Sequence, residues 1–176
     1  MRWYASALRR FPSDVTGTQS SARIHALIAL YRSTHYDAAL PGHGVATLRV
    51  GAHAPAMVCG WIGADAHACF VTACNPHSRV LSLPENECRL VALRTHLRRH
   101  SHRFLEGVGH VPGAPWHEPS LFVAGIDRAE IDALAQDFSQ NAVVVIAPPG
   151  VARLRLYRPE WRDACAAMPD LEWPAS

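Results

Sequence analysis

At 176 residues, 49% hydrophobic and 18% charged, the chain has the size and balance of one globular domain, and its net charge of +2 is too small to argue for nucleic acid or a membrane surface. All 17 basic residues are arginine, which excludes a Schiff-base lysine, a phosphate-loop lysine and a lysine general base. Five cysteines (59, 69, 74, 88 and 165) without a C-x-x-C pair point to reduced, mostly buried thiols of a cytoplasmic protein, not to a disulfide frame or zinc site.

The opening MRWYASALRRFP lacks the continuous apolar core and small-residue cleavage site of a secretory signal. No apolar run approaches the roughly 18 residues that span a bilayer, so no membrane partner is expected. Residues 1–21 hold no sustained period and predict a loose leader. From Ser21, the spacing of Ile24, Leu27, Ile28 and Tyr31 predicts a helix to about Ser33. LPGHG at 40–44 reads as a turn and VATLRV at 45–50 as a strand. Pro55 opens a short helix that Gly63 ends.

Beyond Gly63 the order is regular. His67–Ala73 predicts a strand, Ser82–His100 a long helix, His102–Glu106 a second strand and Ser120–Ile126 a third. Asp127 caps a helix with Glu130 at its third position, and Ile126 and Ile131 form a hydrophobic staple. Ala142–Ala147 is a fourth strand, PPG a turn, and Val151–Tyr157 a partner strand with Arg153 and Arg155 alternating outward. From Pro159 the chain is expected to form a helical turn or to fray. Strand, helix, strand, strand, helix, strand is the split order of a ferredoxin-like sandwich. The expected class is therefore α+β: a βαββαβ core with additional N- and C-terminal strands and N-terminal helices. It forms one domain over 22–158, with a C-terminal tail at 159–176.

One residue breaks the pattern of the long helix. Leu90, Leu93 and Leu97 form its apolar stripe, and stepping back one turn lands on Asn86. Ser82 and Glu85 make a capping box, so Leu81 precedes the cap and Asn86 stands where its hydrophobic staple partner belongs. A buried amide must find hydrogen-bond partners or cost about 1–3 kcal/mol. A polar site under the 75–82 loop follows.

TACNPHS at 72–78, EN at 85–86, WHEPS at 116–120 and QNA at 140–142 resemble, in order and spacing, the bacterial proteins grouped as domain of unknown function 3293. The resemblance covers roughly Tyr31 to Tyr157 and implies no activity. The family usually places a large aromatic residue where this chain has Cys74, which makes Cys74 a poor candidate for a nucleophile.

In the ferredoxin-like order the end of the first core strand faces the starts of the third and fourth, beside the N-terminus of the long helix. Asn75, Ser78, Asn86, Glu118, Ser120 and Asn141 would then converge from separate segments. Each alone has an ordinary structural role: Asn75-Pro76 is turn chemistry, and Asn86 can simply tie down a loop. The 13 residues from Gly107 to Pro119 exceed an ordinary hairpin loop and read as either a lid or a disordered segment; a lid would carry His110, Trp116, His117 and Glu118, with Trp116 at the pocket rim.

Two functions fit. The first is a small-molecule enzyme in which Glu118 is the catalytic acid or base. Asn75, Ser78, Asn86, Ser120 and Asn141 would fix a polar ligand, and Arg79 with the helix N-terminus would accept an anionic group. The second is a non-catalytic module that binds a ligand in the same pocket, or nucleic acid through the arginine patch Arg94, Arg98, Arg99 and Arg103. The absence of an RNP-type aromatic motif disfavours nucleic acid. A small polar molecule is the expected partner, no cofactor is called for, and the sequence sets no oligomeric state. The eleven histidines contain no H-E-x-x-H, so no metal is expected.

Overall fold

The computed structural model describes residues 20–63 and 66–175, so the expected leader lies almost wholly outside the described residues. Helix α1 (Ser21–Ser33) leads into a hairpin of β1 (His35–Leu40) and β2 (Gly44–Leu48). Helix α2 (Ala56–Ile62) follows, ended by Gly63 at φ 102°. The centre of the chain runs β3 (Ala68–Val71), α3 (Leu83–Arg99), β4 (Arg103–His110), β5 (His117–Ala124), α4 (Arg128–Asp137) and β6 (Ala142–Ala147). Strand β7 (Val151–Leu156), helix α5 (Arg162–Cys165) and strand β8 (Leu171–Glu172) close the described chain. The chain is α+β.

All eight strands form one sheet in the order β2-β1-β4-β5-β3-β6-β7-β8, antiparallel except for β7 with β8. β3 lies between β5 and β6, antiparallel to both, and all four of its residues are buried. A strand covered on both faces needs side chains for two cores, which is why ACFV does not alternate in polarity. Cys69 and Val71 join Leu121, Val123, Val143 and Val145 under the stripes of α3 and α4. Ala68 and Phe70 join Phe122, Val144 and Ile146 under α1, with Trp161 in the same cluster.

Both expected capping boxes form: Ser82 with Glu85 on α3, and Asp127 with Glu130 on α4. Two expectations fail. The 13-residue lid is not there: β4 continues to His110 and β5 begins at His117, leaving 111–116 as the turn. GVGH lacks strand propensity, but its glycines answer to neighbours. A Cβ at Gly107 would come within 2.7 Å of the Phe70 ring and 2.8 Å of the Asp37 carbonyl oxygen. Arg155 is not outward; it is 3% exposed beneath α4, whereas Arg153 is exposed. After Pro159 the helical alternative forms, a short turn at Pro159–Trp161 running into α5, with Trp161 fully buried and β8 paired with β7. Strand β1, which the sequence pattern did not reveal, joins β2 to the edge of β4.

Candidate functional site

The site begins where β3 ends. Asn75 is in the left-handed region at φ 48°, as are His77 and Ser78 at 49° and 59°. Asparagine tolerates that conformation better than most residues, whereas His77 and Ser78 each carry about 1–2 kcal/mol of strain. Side chains from other segments hold the loop. Asn75 Oδ1 accepts from the Leu81 amide at 3.1 Å and from Asn86 Nδ2 at 3.0 Å, while Asn86 Oδ1 accepts from the Asn75 amide at 2.9 Å. Asn86, 8% exposed, thus occupies the stripe of α3 and spends its amide on the loop. The Asn75 side chain also faces forward: Nδ2 donates to Glu118 Oε1 at 2.6 Å.

Glu118 stands on β5 opposite Gly109. The alternation of β5 sends Glu118, Ser120 and Phe122 to the α1 face, and Gly107 and Gly109 fall on that face of β4. The missing side chains of these glycines leave room for Phe70 and for a cavity of about 50 Å³ between α1 and the sheet end. Glu118, Asn75, Ser78, Ser120, Asn141 and Trp116 line it. Asn141 is 3% exposed and donates from Nδ2 to Ser78 Oγ at 2.9 Å; the Tyr31 hydroxyl stands 3.1 Å from the same oxygen. Ser120 donates back to the Glu118 carbonyl at 3.1 Å.

Among the described residues no arginine or histidine lines this cavity, though Arg158 Nη1 donates to Asn141 Oδ1 at 3.4 Å, and no ion pair engages Glu118. Burial pushes its carboxyl up to about 7, only partly offset by the Asn75 hydrogen bond. The Tyr31 and Tyr36 hydroxyls in the same wall are also raised by burial, so both stay protonated near neutrality. The Cys74 thiol is raised by burial too and is aimed at the Pro119 carbonyl oxygen at 3.8 Å, an arrangement unsuited to a nucleophile.

A second cavity of about 200 Å³ opens on the other side of the same wall, between α3 and the β4–β5 turn. Cys74, Asn75, Trp116 and Glu118 line both. Asn86 lines only this outer one. Trp116, 8% exposed, is a shared wall and not a rim residue, because the continuing strands pull the turn tight. Arg79 is exposed and lines neither cavity, so it offers an inner ligand no charge.

The sequence pattern missed Tyr31, Thr34, Tyr36 and Thr72, all of which line the inner cavity. Tyr31 stood on the apolar stripe of α1, and a tyrosine there needs a partner for its hydroxyl, which was the available signal. The arginine patch is dispersed. Arg94 is bound to Glu106 at 2.8 and 2.9 Å, and Arg103 turns to the ring and backbone of Trp61. Among the described residues no three His, Cys, Asp or Glu side chains are grouped to hold a metal ion, and no helix is long and apolar enough to cross a membrane.

Neither a curated protein nor a solved structure matches the chain. The stretch 71–143 matches the family described as protein of unknown function (DUF3293). Asn75, Ser78, Arg79, Asn86, Trp116, Glu118, Ser120 and Asn141 all fall within it. Over residues 71–143 the chain is similar to that family.

Proposed function

We propose that the protein is a small-molecule enzyme that moves a proton between Glu118 and a neutral polar ligand. The observation that carries this reading is a buried carboxyl, poised at about 7, with no cationic partner among the described residues. A group with a pKa near the working pH gives up and recovers a proton with little cost in either direction. Asn75 Nδ2 engages Oε1, so the acidic proton resides on Oε2. Protonated Glu118 donates to a carbonyl or leaving-group oxygen; ionised Glu118 accepts from a hydroxyl or an activated carbon. Ser78, Ser120 and Asn141 orient the ligand, and Asn86 acts through Asn75 as a positioning residue. The exposed placement of Arg79 argues against an anionic ligand in the inner cavity.

The strand order β4-β5-β3-β6, with α3 and α4 over one face, supports reading the centre as a ferredoxin-like sandwich with added outer strands. In that reading the site occupies the sheet end where the split βαβ units meet.

The test pairs titration with turnover. Carbon-13 NMR of glutamate-labelled protein should find one carboxyl titrating near 7, absent in Glu118→Gln. A panel of neutral amides, esters and hydroxycarbonyl compounds should contain a substrate turned over with a pH limb near 7 and lost in the same variant. A Glu118 carboxyl titrating near 4.5, or a substrate turned over equally by both proteins, overturns the proposal. A carboxyl that titrates near 7 without any turnover assigns the cavity to ligand binding alone.

A further inference from the structure

We infer that the ligand is a small neutral amphiphile, its compact polar end at Glu118 beside the inner cavity and its apolar body in the outer one. The inference rests on the reading of Glu118 given above and adds the substrate class.

Size, lining and charge carry it. The inner cavity, at about 50 Å³, takes one or two groups of water size, since a water claims about 30 Å³ of liquid. Its wall offers the side chains of Tyr31, Ser78, Asn141 and Glu118 to a polar group. The outer cavity, at about 200 Å³, exceeds the roughly 150 Å³ that admits benzene in an engineered apolar cavity. A ring or a chain of about six carbons fits it. Its apolar lining comes from Val80, Leu83, Leu90, Trp116 and two prolines. Val80 and Leu83 are 44% and 70% exposed. Packing does not account for these two side chains at the mouth of a cavity, whereas an apolar ligand would cover both.

Charge sets the other half of the class. Glu118 faces both cavities, and Glu87 lines the outer one. Among the described residues neither lining includes an arginine; His117 lines the outer cavity, and Arg158 Nη1 reaches Asn141 Oδ1 of the inner wall at 3.4 Å. A ligand carboxylate placed at Glu118 would meet a second carboxyl at its point of contact, with no arginine in either lining to pair with it directly. An uncharged amide, ester or alcohol meets no such penalty and finds partners at Asn75 and Glu118.

The probes are the linear primary amides from propanamide to octanamide and the carboxylates of equal chain length, bound to the full chain at pH 7 and followed by Trp fluorescence and calorimetry. Amide affinity should rise about fourfold per methylene, the value of burying one CH₂, and level off when the outer cavity is full. The carboxylates should bind at least tenfold more weakly. Leu83→Asp and Val80→Asp, both at exposed positions, should flatten the chain-length series while leaving the Glu118 titration near 7. An affinity independent of chain length, binding of carboxylates as tight as that of amides, or no amide binding at any length overturns the inference. With Glu118 still titrating near 7, that failure leaves the acid–base reading standing. A Glu118 carboxyl at an ordinary pKa removes both.

Discussion

Two carboxylates on opposite faces of the sheet show how neighbours decide what an acid does. Asp132 on α4 receives Arg155 Nε at 2.6 Å, Arg155 Nη2 at 2.7 Å and the Tyr157 hydroxyl at 2.8 Å. Burial pushes its carboxyl up, but the hydrogen bonds of Arg155 and Tyr157 and the arginine charge outweigh burial and hold it below the usual range. Glu118 is a half-buried residue whose carboxyl, with a single neutral amide beside it, is pushed up to about 7 by burial. Asp132 is therefore a fixed anion that locks α4 to β7. Glu118 keeps an exchangeable proton. The difference lies in the partners and in the depth of the carboxyl: Asp132 keeps 20% of its side chain exposed and is held by a guanidinium, whereas the more deeply buried Glu118 carboxyl has only an amide.

Breaking the locked acid should have the largest effect. Asp132→Ala leaves the Arg155 guanidinium, only 3% exposed, with Glu172 as its remaining acidic partner at 3.0 Å. Loss of one member of a buried pair costs about 3–5 kcal/mol, so urea unfolding should register a fall of about 3 kcal/mol. A loss below 1 kcal/mol would equate Asp132 with a surface acid and erase the contrast.

Titration sharpens the comparison because the two groups have opposite signs. The Glu118 pKa is raised on folding from 4.5 to about 7. Its stabilising contribution is therefore complete below about 4.5 and is lost as pH rises to about 7. Asp132 is lowered on folding, so its contribution is present above its unfolded value of 3.8 and is lost in acid. Glu118→Gln has no proton to lose. It should match wild type near pH 4 and exceed it at pH 8 by up to about 3 kcal/mol, because each tenfold change in proton affinity on folding is worth about 1.4 kcal/mol. Denaturant midpoints across that range decide the matter; parallel curves would return Glu118 to an ordinary carboxylate.

The smallest effect should come from Asn75→Gly, which keeps the left-handed backbone and removes the amide. Glu118 loses the bond that favours its charged form, so its titration should move above 7. Stability should fall by about 1–2 kcal/mol as the Leu81 amide and Asn86 lose their acceptor. NMR titration of the Glu118 carboxyl reads the first change and thermal unfolding the second. An unmoved titration would deny Asn75 any hold on Glu118.

Much of this was legible in the chain because the signals were local. Ser82 and Glu85 announced a cap, and Asn86 in a leucine stripe announced a buried amide, each within one or two helical turns. The convergence of Asn75, Glu118 and Asn141 followed from the order of elements alone. What escaped depended on distant partners. GVGH read as loop because glycine is a weak strand former, yet Phe70 and Asp37, tens of residues upstream, require Gly107. Tyr31 read as core because its hydroxyl partner, Ser78, lies 47 residues away. Arg155 read as outward because alternation gives the face of a strand but not what covers that face.

The burial of Trp161 has a consequence for the order in which the molecule can be built. The apolar face of α1 shares its cluster with Trp161 and Cys165, and His25 Nε2 stands 2.8 Å from the Ala164 carbonyl oxygen. A ribosome releases α1 early and the residues that finish its cover more than a hundred positions later. At about 5–20 residues per second, α1 therefore waits on the order of ten seconds with this side incompletely covered. Of the described helices, the first made is among the last to be sealed, and for that interval Ile24, Leu27 and Ile28 are surface that a chaperone can hold.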